Sequence, residues 1–147
     1  MFRINIDKKE NLDVMKFKLP QDFIQKYCWQ DCQLFATLFT IKVGGEIKLI
    51  SDDHFVVFYN NYYIDVYGIH TEEALLYRKL PMKIPNGKII LAMSYFEQST
   101  FTIDDVKMKN ESELIELIEY HGPVKIELTE FIIDMIVDMD IFKNFFN

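Results

Sequence analysis

The spacing of hydrophobic and polar positions changes character several times along the chain and marks out its elements. "RINI" (3–6) and "VMKFKL" (14–19) read as short strands, and "PQDFIQKY" (20–27) as a short helix. Asp31 is placed as the N-cap of a helix over "CQLFATLFTIKV" (32–43), with Gly44 and Gly45 stopping it. "EIKLI" (46–50) reads as a strand, and "HFVVFY" (54–59) and "YYIDVYG" (62–68) as a hairpin across Asn60-Asn61. Thr71 caps a helix over "EEALLYRKL" (72–80), which Pro81 ends. "GKIILAMSYF" (87–96) and "FTIDDVKM" (101–108) are further strands. "NESELIELIEYHG" (110–122) is a helix with Asn110 as cap, Glu113 three residues later and Gly122 as stop. "PVKIEL" (123–128) reads as one more strand, and 129–146 carries a helical apolar stripe. Helices mixed with antiparallel hairpins predict an α+β fold in one domain over 1–147.

Charge and composition narrow the function classes. The 147 residues hold 16 basic and 23 acidic side chains, a net charge of 16 − 23 = −7, with no basic cluster in the sequence. Such a chain repels phosphate backbones, so no nucleic acid is expected as a partner. No apolar run approaches the roughly 20 residues of a membrane span, and "MFRINIDKKENLDV" has no apolar signal core, so no membrane partner is expected and the expected location is the cytoplasm. The two cysteines cannot build a disulfide framework and are expected as thiols. With scattered histidines they offer no four-ligand zinc set, and no cofactor or metal is expected.

The candidate chemistry lies in Cys32, His54 and Asp65. A cysteine that opens a helix meets unpaired N–H groups and the positive dipole end, which favour a thiolate. The same N–H groups can stabilise an oxyanion. Cys28 precedes the cap and has the weaker claim; a cysteine beside aromatics is commonly an inert core residue. If Asn60-Asn61 is a two-residue loop, Tyr59 lies opposite Tyr62, His54 opposite Tyr67 and Asp65 opposite Val56. His54 and Asp65 are then diagonal neighbours on one face of the ribbon. That face is otherwise apolar, with Val56, Phe58, Tyr63 and Tyr67, so a carboxylate there needs a partner. A carboxylate behind an imidazole fixes the ring and supports the imidazolium of a thiolate–imidazolium pair.

A helix opening with Cys, a strand opening with His and a strand carrying Asp resemble the papain-like and transglutaminase-like cysteine enzymes. More closely, "DCQLFATLF…GGEI…DHFVVFYNNYYIDVYGIHTEEAL" is similar to small proteins of phages and mobile elements built on that core. The resemblance covers about residues 28 to 80, with 85–147 adding further strands and helices. It implies a papain-like core, Cys32 as nucleophile, His54 as base and Asp65 as orienting carboxylate. Two departures stand out. Gln25 and Gln30 lie near the cysteine, but neither has the spacing of the family's oxyanion glutamine, and no Gly-rich segment flanks Cys32. Asp31, Asp52 and Asp53 make the surroundings acidic, which suits a cationic or amide substrate and raises the thiol pKa against the helix effect.

Two functions follow. One is a cysteine hydrolase or acyltransferase (a peptidase, an amidase or a transglutaminase-like enzyme) acting on a protein or another amide-containing substrate. The other is a non-catalytic interaction protein of phage type, inhibiting a host defence protein through an acidic, aromatic surface. Tyr59, Tyr62, Tyr63 and Tyr67, favoured types at interfaces, are its main sequence support.

Overall fold

Asn60 and Asn61 both hold positive φ, 47° and 71°. This is the backbone of a type I′ turn, whose twist matches the strands it joins. The protein is described here by a computed structural model covering residues 13–51, 54–79, 81–91, 94–97, 101–107 and 111–146. The expected strand at 3–6 and the residues Asp52, Asp53 and Asn110 lie outside the described residues. Across the turn, β3 (His54–Tyr59) and β4 (Tyr62–Asp65) pair antiparallel, with Tyr59 opposite Tyr62 and Phe58 opposite Tyr63. The register of these pairs is the one expected from a two-residue loop, but β4 ends at Asp65, so the expected pairing of His54 with Tyr67 is not formed.

The remaining strands extend this ribbon in both directions. β2 (Glu46–Ile50) pairs with β3, and β8 (Ile103–Val106) with β2. On the other side β5 (Gly68–His70) returns along β4, and β1 (Asp13–Lys16) closes that edge. The sheet is antiparallel with order β1-β5-β4-β3-β2-β8. β5 was not foreseen: the chain turns at Val66-Tyr67, where a longer strand was expected. Gly68 is required there, because a Cβ would overlap the carbonyl oxygen of Met15 in β1. β6 (Pro81–Lys83) and β7 (Ile89–Leu91) form a separate two-stranded ribbon, the latter shorter than the strand expected over 87–96.

Helices cover both faces. α1 (Gln21–Gln25) runs into a wide π turn at Lys26–Gln30. Asp31, at φ −116° and ψ 28°, then breaks the helical path, and α2 (Cys32–Lys42) begins. Gly44 and Gly45, with φ of 124° and 94°, end it as expected. α3 (Glu72–Tyr77) carries the expected cap, the Thr71 hydroxyl accepting from the Ala74 N–H at 3.1 Å. α4 (Glu111–His121), α5 (Pro123–Asp138) and α6 (Asp140–Phe145) complete the chain. The strand expected over 123–128 is the start of α5. Pro123 sits at the first helical turn, where its missing N–H costs nothing, and Ile126 continues into the helical stripe Ile132, Ile133 and Ile136.

The sheet separates two cores. Leu34, Phe35, Leu38 and Phe39 of α2 pack with Val57, Ile64, Ile69 and the isoleucines of α5 on one face. Ile50, Val56 and Tyr63 meet Leu75 and Leu76 of α3 on the other. Each such large side chain contributes about 1.5–3 kcal/mol when fully buried. Among the described residues no helix is long and apolar enough to cross a membrane.

Candidate active site

Chain geometry brings Cys32 to His54. The eleven residues of α2 rise about 16 Å along the helix axis. After Gly44-Gly45, the five residues of β2 return about the same length. The helix start therefore stands level with the end of β2, where Ile50 pairs with His54, the first residue of β3. His54 opens β3 and Asp65 closes β4, so the antiparallel pairing places both at this same end of the sheet.

His54 Nε2 lies 3.0 Å from Asp65 Oδ2. They share the face that α3 covers, whereas α2 packs on the opposite face. The body of α2 thus packs on the other face, while Cys32, its first residue, is near enough to His54 to act on the ring. His54 Nδ1 is buried and closes no hydrogen bond of normal geometry. The Cys32 sulfur is near enough to the ring to favour its protonated form as an acceptor. Tyr95 stacks on the imidazole with ring centroids 6.5 Å apart.

Asp65 is the hub of a larger cluster than the sequence suggested. Oδ1 accepts from the N–H groups of Tyr67 (3.0 Å) and Gly68 (3.3 Å) and from Arg78 Nη1 (3.2 Å). Oδ2 accepts from His54 and from Arg78 Nη2. Arg78 Nη1 also lies 2.7 Å from His70 Nε2. A guanidinium only donates, so Nε2 of His70 accepts and its ring proton sits on Nδ1. The 3.3 Å approach of His70 Nε2 to Asp65 is then not a donor bond in that tautomer. At His54 the shorter contact is to the carboxylate, so Nε2 donates there, with the Arg78 guanidinium 3.2 Å away as a like-charged neighbour. The guanidinium touches both imidazoles and the carboxylate, the central place a cation would need; no group of side chains placed to hold a metal occurs among the described residues.

The electrostatics follow from these contacts. Burial opposes the charged form of Asp65, but the Arg78 charge and the His54 hydrogen bond hold its carboxyl well below the usual range. Burial likewise opposes an imidazolium at His54. The hydrogen bond His54 donates to Asp65, the nearby Cys32 sulfur and the Asp65 charge outweigh it, and the pKa is raised to about 8. Burial pushes the Cys28 thiol well up, and Asp65 adds to this. Both cysteines are free and buried, Cys32 at 6% exposure and Cys28 at 2%. Cys32 is therefore more enclosed than a helix-start position suggests.

Asp31 occupies the cap position of α2 without capping it. Its buried carboxylate faces Lys125 Nζ at 3.5 Å and His121 Nδ1 at 3.8 Å. The first-turn N–H groups of α2 thus carry no side-chain cap, and the carboxylate nearest to Cys32 in sequence is compensated by a lysine. The acidic environment expected from Asp31 is changed accordingly.

Arg78 and His70 are the site residues missed in the sequence. A turn at Val66-Tyr67 would have placed His70 opposite Tyr63 on the face of Asp65, as observed; Arg78, at the end of α3, had no such signal. Comparison with family models, curated proteins and solved structures finds no match to this chain.

Proposed function

We propose that this protein is a thiol-dependent hydrolase or acyltransferase with a papain-like or transglutaminase-like core, acting on an amide. The observation that carries this reading is the His54–Asp65 hydrogen bond, with the Cys32 thiol next to the ring at an uncapped helix start. Cys32, as thiolate, attacks the carbonyl carbon, and charge builds on the carbonyl oxygen. The free N–H groups of the first α2 turn are the donors suited to that charge. His54, protonated, gives its proton to the leaving nitrogen, the C–N bond breaks, and a thioester remains on Cys32. Water or an amine then attacks the thioester while His54 takes its proton, and the thiolate is released. Asp65 orients the ring and supports its charge throughout. A pKa of about 8 leaves the acid loaded at neutral pH, which the first step requires.

One observation favours a second reading, in which the constellation is kept and the protein works by binding a host protein. Cys32, His54 and Asp65 are all less than a tenth exposed. Alkylation by iodoacetamide, mapped by mass spectrometry, separates the two. For an enzyme, Cys32 is modified at neutral pH, well ahead of Cys28, and His54→Ala removes that advantage. Slow modification of Cys32, unchanged by His54→Ala, and a large stability loss on Cys32→Ala would identify a core cysteine and leave the binding reading.

A further inference from the structure

In a chain with an excess of carboxylates, three lysines line one cleft. Lys26 from the wide turn, Lys83 from β6 and Lys125 from the start of α5 border a volume of about 760 Å³ between these segments. Asp22 is the single carboxylate among the described residues that line it. Lys125 faces the buried Asp31, whereas Lys26 and Lys83 make no ion pair among the described residues. The positive field reaches beyond the cleft. After burial, Lys125 and Lys26 both push the His121 imidazole towards its neutral form, against Asp31. Met82, Ile84 and Pro85 give the cleft an apolar wall. The Lys83 N–H donates to Gln25 Oε1 at 3.1 Å and ties that wall to the helical side.

We propose that this cleft is a binding site for a small organic anion, with a phosphate or carboxylate group among the lysines and an apolar portion against Met82, Ile84 and Pro85. Its volume is that of a small-molecule site. Like charges gathered at a concave surface raise the local concentration of counter-ions. Lysines act as point charges and do not demand one oxyanion geometry. Occupation of the cleft is separate from the chemistry of Cys32.

The test is titration of the full chain with phenyl phosphate and with benzoate, followed by backbone amide NMR. The expected result is a saturable shift confined to residues 22–30, 82–85 and 125 with at least one of the two. The dissociation constant weakens about tenfold or more in Lys26→Ala/Lys83→Ala and with added salt, and is unchanged in Lys88→Ala, outside the cleft. Preference for one probe assigns the phosphate or carboxylate chemistry. Shifts that do not saturate, that spread evenly over surface lysines, or that persist in the double variant overturn the proposal.

Discussion

His54 Nε2 and Asp65 Oδ2 meet at 3.0 Å although eleven positions and a turn separate them. The contact exists because a two-residue loop preserves the face of every side chain across the hairpin. It also makes Asp65 more than an orienting group, since the carboxylate gathers five donors in a buried setting.

Asp65→Asn is accordingly expected to destabilise the fold by about 3–5 kcal/mol, because it removes the buried charge on which Arg78, His54 and two backbone N–H groups converge. The urea midpoint measures this. Arg78→Met added to Asp65→Asn should recover part of the loss, as expected for coupled partners. A cost below about 1 kcal/mol for the single variant would remove Asp65 from the centre of the cluster. Thiol reactivity of Asp65→Asn is informative only where circular dichroism shows the variant folded.

Stability should fall as pH rises through the His54 titration. The folded pKa of about 8 lies above the ordinary 6.5, so the stabilising contribution is complete below about pH 6.5 and lost by about pH 8. The difference corresponds to about 2 kcal/mol. Urea unfolding between pH 6 and 9 reads this slope, and His54→Gln should flatten it. A wild-type curve that rises through the same interval would contradict a proton held between His54 and Asp65.

Gly68→Ala and Gly87→Ala separate two uses of glycine. At Gly68 the new methyl overlaps the Met15 carbonyl, so a cost of about 2 kcal/mol or more is expected, with faster hydrogen exchange in β1. Gly87 has φ +87° and nothing within 4 Å of an added Cβ, so only backbone strain of about 1–2 kcal/mol applies. Equal exchange in β1 for the two variants would place the Gly68 effect elsewhere.

Tyr27 and Thr129 should give unequal costs. Their hydroxyls meet at 2.8 Å in the core, and Thr129 Oγ1 also donates to the Lys125 carbonyl at 2.7 Å. Tyr27→Phe leaves that second bond in place and should cost about 1 kcal/mol. Thr129→Val strands a buried phenol and should cost about 1–3 kcal/mol. Thermal unfolding of both variants checks the order, and a larger loss in Tyr27→Phe would contradict it.

Local signals made the hairpin legible in the sequence. Asn60-Asn61 selects the turn, and parity alone then puts His54 beside Asp65. The start of α2 was legible for a similar reason, with Asp31 before it and paired glycines after it. Arg78 and His70 were not, because their places depend on how α3 and β5 fold back over the sheet. "PVKIEL" misled because Val124, Ile126 and Leu128 alternate as a strand would, while the helical stripe emerges only with Ile132 and Ile133 downstream. The direction of the Asp31 side chain was also hidden, being decided by a lysine 94 positions later.

The wide turn at Lys26–Gln30 has a consequence for how such a site can be lost. The Asp31 N–H bonds to the Lys26 carbonyl at 2.8 Å, five residues back, so the backbone leaves the helix at Asp31 without stranding that donor. A helix end is thereby made in the middle of a helical run, with no loop to announce it. A good helix former at position 31 can join 21–42 into one continuous rod. The N–H groups at the start of α2, which the Asp31 side chain leaves uncapped, would then be spent on carbonyls of the preceding turn. Cys32, His54 and Asp65 would all still be present in the sequence. The proposed oxyanion donors would be gone through two torsion angles of a residue that touches no substrate.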